Sequence, residues 1–168
     1  MSLEELSYIS QIVGVFAILG SLIAIFFQMR QGNRITRAQM TAQVSDRLIS
    51  VMQNLIADKA LANAFRAVMF QGKRVDDDEV ARLLSWFNTW LHMHHSAFVD
   101  SKDGLVDSRA LEFAEISTHW YISKPLFASE WRRTRPSLPA AFVDHINSRA
   151  AHFAERVEAL DFQAQLQE

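Results

Sequence analysis

The apolar positions of this chain follow two regimes. From Leu6 to Met29 they run almost without interruption, and Tyr8 is the only ionisable side chain. After Arg30 they recur every three or four residues among polar ones. The second regime is that of helices with one buried face. Met40, Val44, Leu48, Val51 and Leu55 make one such stripe. It predicts that the first segment, after a break at Gly32-Asn33, runs on as a stalk-like helix. Asp58 starts a second helix carrying Leu61, Phe65 and Met69, and "QGKR" ends it. Asp76 with Glu79 three residues on reads as a capping box. It opens a helix to about Asp100 with Val80, Leu84, Phe87, Leu91, His94 and Phe98 on one face.

"DSKDGLVD" reads as a turn with Asp107 as the next cap. The helix after it reaches about Ser123 and presents Phe113, Ile116 and Trp120. Pro125 suits a first helical turn, so "KPLFASEWRRTR" is a short helix. "RPSLP" interrupts, with Ser137 placed as a cap. The last helix carries Phe142, Ile146, Ala150, Phe153, Val157 and Leu160, and its tail "QAQLQE" frays. Alternating Val, Ile and Thr runs bounded by turn pairs are missing, so no strand is expected. The expected fold is all-α: a transmembrane anchor over residues 1–31, then a cytoplasmic bundle of five or six helices over residues 32–168.

The anchor reading rests on length and flanks. Ile9 to Phe27 is nineteen residues, roughly 28 Å of helix and close to the hydrocarbon thickness of a bilayer. A cleaved export signal has a basic start, a shorter apolar core and a small-residue cleavage site. Here Glu4 and Glu5 precede the run, and Phe26, Phe27, Gln28 and Met29 end it. The core helix of a soluble protein carries a polar stripe, whereas this stretch offers only Ser10, Gln11 and Ser21. Arg30, Arg34 and Arg37 come directly after the span, and no lysine or arginine precedes it. The positive-inside bias then places the N-terminus outside and the bulk of the chain in the cytoplasm, with the arginines within reach of anionic headgroups. Ser10, Gly14, Ala17, Ser21 and Ala24 share one helical face, extended by Gln28 and Gln31. Small faces let helices approach closely in lipid, so this one predicts contact with a second copy or with another membrane protein.

Charge and composition narrow the rest. The net charge is −2 and there is no cysteine. A disulfide framework, a thiolate metal site and a cysteine nucleophile are excluded. Nucleic-acid binding is not indicated, since it calls for a basic footprint and a recognisable module.

Three groups of side chains carry candidate chemistry. In "LHMHH", His94 falls on the apolar stripe and reads as a core histidine with one nitrogen hydrogen-bonded. His92 and His95 share another face. Together with Glu112, Glu115 and His119 they make a nitrogen/oxygen set of the kind that holds zinc or iron. Ordinary surface histidines and a Glu115–His119 pair account for the same residues, and neither Glu-x-x-His nor His-Glu-x-x-His occurs. "EWRRTRP" offers Arg132, Arg133 and Arg135 beside Trp131, a face for phosphates, headgroups or acidic partners or simply a solvated basic surface. Trp86, Trp90 and Trp120 read as core, with a flat pocket for haem or another small ligand as the other possibility. No nucleophile elbow, phosphate-cradling glycine loop or paired-carboxylate signature is present.

"ISQIVGVFAILGSLIAIFFQMRQGNRITRAQ", "DGLVD" and "EWRRTRPSLPAAFVDHI", in this order, resemble a broad family of uncharacterised bacterial membrane proteins. Its members pair one apolar span with a C-terminal cytoplasmic helical domain. The resemblance implies the anchor-plus-bundle layout and no activity. Two functions are expected on these grounds. The first is a non-enzymatic single-pass inner-membrane protein whose helical domain is an oligomeric scaffold or an accessory subunit of a larger membrane complex. The second is a membrane-tethered metal- or small-ligand-binding domain.

Overall fold

The structure, a computed structural model, describes residues 3–165. It is 89% helical, with no strand among the described residues. The helices are α1 (Leu3–Ala57), α2 (Lys59–Met69), α3 (Asp77–Lys102), α4 (Ser108–Ile122), α5 (Pro125–Thr134) and α6 (Ala140–Gln165). A 3₁₀ turn at Arg135–Ser137 separates the last two. The chain divides into two compact units, Met1–Gln39 and Met40–Glu168.

The first unit is helical wherever it is described. Its described apolar side chains face outward: Ile12, Phe16, Leu22, Phe26 and Phe27 are each more than half exposed. The expected break at Gly32-Asn33 is absent, and α1 passes through it. A mid-helix glycine costs about 1 kcal/mol against alanine, too little to stop a helix flanked by good formers such as Met29, Arg30 and Gln31.

The second unit is a bundle whose helices start where local chemistry dictates. The Asp58 carboxylate accepts from the Ala60 and Leu61 amides to cap α2. Asp76 and Glu79 form a reciprocal capping box on α3, satisfying two amide donors that a helix start otherwise leaves unpaired. Asp107 caps α4 through the Arg109 amide, and Pro125 opens α5. Ser137 is not a cap. Its hydroxyl donates back to the Thr134 carbonyl at 2.7 Å, and α6 begins after Pro139, whose carbonyl accepts from Phe142 and Val143. The tail is helical as far as Gln165, and Leu166, Gln167 and Glu168 lie outside the described residues.

The core gathers Val44, Leu48, Val51 and Leu55 of α1 with Leu61 and Met69 of α2, Phe87, Leu91 and Phe98 of α3, Phe127 of α5 and Phe142 and Ile146 of α6. Tyr121 is the hub of an aromatic cluster, with Phe65, Trp86, Trp90 and Phe87 edge-on to it at 5.4–6.3 Å. Edge-to-face packing of this kind adds about 0.5–1.5 kcal/mol per pair beyond burial. Two tryptophan N–H groups of this cluster are also satisfied: Trp86 donates to the Val51 carbonyl at 3.1 Å and Trp120 to Asp161 at 2.7 Å. These rings fill the space between α2, α3 and α4.

Two expected faces are displaced. On α4, Phe113 is 56% exposed and Ile116 and Trp120 only half-buried, while Leu111, Ala114, Glu115, Ser117, Thr118 and Tyr121 face inward. On α6, Ala150 is exposed and the half-buried Arg149 takes the inward place between Ile146 and Phe153. In both helices a polar residue goes inside because it meets a partner there.

Candidate functional site

The C-terminal end of α3, the first half of α4 and the middle of α6 border a cleft of about 520 Å³. Phe98, Ser101 and Lys102 come from α3, Ser108, Arg109, Leu111, Glu112 and Glu115 from α4, and His145 and Arg149 from α6. Gly104 brings the first two elements together. It adopts φ +70°, a left-handed value that only glycine takes without strain, and the turn closes with the Leu105 amide donating to the Asp100 carbonyl at 2.9 Å.

Glu115 is the floor of the cleft and is only 4% exposed. A carboxylate out of water costs several kcal/mol unless it is paired and hydrogen-bonded. Here both oxygens are used: His145 Nε2 lies 2.6 Å from Oε1, and the Arg149 guanidinium donates to Oε2 at 3.2 Å. An ionised carboxylate only accepts, so His145 carries its proton on Nε2, which leaves Nδ1 as the acceptor whenever the ring is neutral. The Arg149 guanidinium also stacks 5.0 Å from the Phe153 ring centroid, and His145 lies 4.7 Å from Phe98. Charge and packing thus fix the same two side chains. Glu112, nearer the rim, pairs with Arg156, whose hydrogen bond holds its carboxyl below the ordinary value.

Two further polar networks lie outside the cleft. His94 is fully buried, with Nδ1 2.8 Å from Thr118 Oγ1, the same oxygen that accepts from Trp90 Nε1 at 2.9 Å. Trp90 can only donate, so Thr118 Oγ1 accepts from it and shares its remaining hydrogen-bonding capacity with His94 Nδ1, while His94 Nε2 is buried without a partner. This is the core histidine with one bonded nitrogen that the apolar stripe predicts. Desolvation, aided by repulsion from His145, His119 and His95, lowers its pKa to about 3. Glu130, buried on α5, accepts from Asn88 at 2.6 Å and twice from Arg133, at 2.5 and 2.8 Å. Its hydrogen bond with Arg133 is the chief cause of a pKa below the ordinary carboxylate range.

The proposed nitrogen/oxygen set is not assembled. Among the described residues no group of three or more His, Asp or Glu is placed to hold a metal ion. His92 is exposed, His95 packs on Phe142 and His119 on Phe153. Glu115 reaches across to α6 instead of pairing with His119, its neighbour one turn away. Of the α5 arginines, Arg133 is tied to Glu130, while Arg132 and Arg135 are exposed with Trp131 packed inward. In the first unit, Ser10 and Ser21 donate to their own helix at the Ser7 and Ala17 carbonyls, 2.8 and 2.9 Å. Gly14 has open space around it, and Ala17 and Ala24 are exposed. Arg30, Arg34 and Arg37 are exposed too.

Sequence reasoning misses His145, Arg149, Lys102 and Arg109. For the first two a signal exists: Phe142, His145, Ile146, Arg149 and Phe153 share one helical face, so the charged pair points where the apolar residues do. Lys102 and Arg109 carry no such mark.

Comparison of the chain with protein-family models, with curated proteins and with solved structures finds no match.

Proposed function

We propose that this chain is a single-pass protein of the bacterial inner membrane, with its N-terminus outside and its helical domain in the cytoplasm, where it acts as an oligomeric scaffold or as an accessory subunit of a larger membrane complex. One observation carries the reading. The N-terminal helix contains an eighteen-residue window of mean hydropathy 2.4, none of it buried. Exposing so many isoleucine, leucine and phenylalanine side chains to water forfeits about 25 cal/mol per Å² of apolar surface. A lipid bilayer removes that cost, and the length matches its thickness.

Arg30, Arg34 and Arg37 after the span support a cytoplasmic placement of the helical domain. Their positions next to the apolar run also suit anionic lipid headgroups. Ser10, Gly14, Ala17, Ser21 and Ala24 support close helix contact, because the serines already bond their own backbone and the other three offer no bulk. Interaction rather than catalysis fits a bundle whose buried polar groups are largely used in holding it together.

The chain's lack of cysteine makes the test direct. Single cysteines at Gly14 and Ala17 should crosslink in membranes, whereas a cysteine at Phe16 should not. Substituting leucine at Gly14 and Ala17 should abolish assembly in membranes and capture of partners. Added bulk at Gly14 meets nothing within 4 Å in this chain, so a loss of assembly reports on the contact. Unchanged assembly in these variants removes the support for this reading.

A second reading, a membrane-tethered domain that binds a small ligand, is favoured by the cleft between α3, α4 and α6. Its lining mixes apolar walls with charged groups on three helices.

A further inference from the structure

The cleft between α3, α4 and α6 holds an imbalance of charge that its own residues do not resolve. Its two acids are both engaged: Glu115 by His145 and Arg149, and Glu112 by Arg156. Lys102 and Arg109 line the same space, and neither side chain makes an ion pair or hydrogen bond among the described residues. The Lys102 ammonium rests 5.3 Å from the centre of the Phe98 ring, an attraction that keeps it at the cleft. The Arg149 Nε–H is buried without a partner. Two positive charges without partners therefore line one cavity, above an arginine with one buried donor unpaired.

We propose that this cleft binds a small organic phosphate monoester. The inference rests on the second reading of the function and names its ligand. A phosphate monoester concentrates up to two negative charges on one head, matching the unanswered Lys102 and Arg109. Its oxygens accept from ammonium, guanidinium and hydroxyl donors alike, and Ser101 and Ser108 supply the hydroxyls. Phe98 and Leu111 give an apolar wall for the organic part. A volume of about 520 Å³ lies within the usual range for small-molecule sites.

The start of α4 is not what binds. Asp107 already caps it, its carboxylate accepting from the Arg109 N–H at 2.9 Å, so the anion is assigned to the side chains. Glu115 belongs to the site as a positioning residue. It holds the Arg149 guanidinium at 3.2 Å, and without it that side chain is free to swing into solvent.

The experiment is calorimetric titration of the full chain in phosphatidylcholine nanodiscs. Phenyl phosphate, inorganic phosphate and succinate are the soluble probes, and phosphatidic acid in the disc is the lipid probe. Phenyl phosphate is expected to bind below about 1 mM, and more tightly than inorganic phosphate because of the apolar wall. Lys102→Ala and Arg109→Ala should each weaken it about tenfold or more, Arg109→Glu should abolish it, and Arg132→Ala, outside the cleft, should leave it unchanged. Both lysine and arginine are exposed, so these variants keep the core intact. If phosphatidic acid in the disc displaces phenyl phosphate, the monoester is a lipid headgroup. If it does not, the ligand is a soluble phosphate ester. Binding of succinate without phenyl phosphate overturns the ligand class and leaves a binding domain standing. Absence of binding by every probe, or binding that ignores Lys102 and Arg109, overturns the site.

Discussion

His145 on α6 and Glu115 on α4 stand 2.6 Å apart, imidazole Nε2 to carboxylate oxygen, in the interior of the helical domain. They lie thirty residues apart in the chain, and their contact joins the last helix to the one beneath it. Removing one member of a buried pair strands the other. Glu115→Ala is therefore expected to lower stability by roughly 2–3 kcal/mol. A double-mutant cycle with His145→Ala should give a coupling of about 1 kcal/mol or more, read from denaturant unfolding in detergent. Additive effects would mean the contact contributes nothing beyond its parts.

Leu111 and Phe113 sit two residues apart on α4, one buried and the other 56% exposed. Leu111→Ala should cost about 2–5 kcal/mol, as cavity-forming substitutions do. Phe113→Ala, which loses an edge contact with Trp90 at 6.2 Å, should cost no more than about 1.5 kcal/mol. The same unfolding series measures both, and the reverse order would contradict the placement of this helix.

That pair also shows which parts of the fold the sequence makes legible. Helix starts are readable because a cap is a local event: Asp58, Asp76 and Asp107 satisfy amides two or three residues away. The stripe Val44, Leu48, Val51 and Leu55 is readable because its apolar period is unbroken. The face of α4 is not, since a buried glutamate looks like a solvated one until His145 and Arg149 arrive from α6. A pattern of apolar positions alone puts Phe113 inside and Glu115 outside. The nitrogen/oxygen set is not brought together among the described residues, for a related reason. Helical spacing makes Glu112, Glu115 and His119 co-facial, but it says nothing of which neighbouring helix supplies their partners. Arginines on α6 take the two glutamates.

The buried His94 gives the domain a pH dependence of fixed sign. Its pKa in the folded state is about 3, against 6.5 when free. Below about pH 6.5 the unfolded chain takes up a proton that the folded chain refuses, so stability falls as pH falls. The full contribution is present above pH 6.5. This residue alone gives a slope of up to about 1.4 kcal/mol per pH unit. His119, pushed down mainly by burial, acts in the same direction. Glu112 and Glu130, held low mainly by hydrogen bonds from Arg156 and Arg133, lose their contribution only under more acid conditions, below their free value of 4.5. Between pH 6.5 and 5, His94→Gln should therefore flatten the curve of stability against pH relative to the parent chain. An unchanged slope would show that His94 does not carry it.

The bilayer placement of the N-terminal helix is tested most directly by expressing the full chain in bacteria and washing the membranes with alkaline carbonate. The account predicts that the chain stays in the membrane pellet, is released only by detergent, and keeps its N-terminal residues on mass measurement. Recovery of the intact chain in the aqueous fraction without detergent would contradict it.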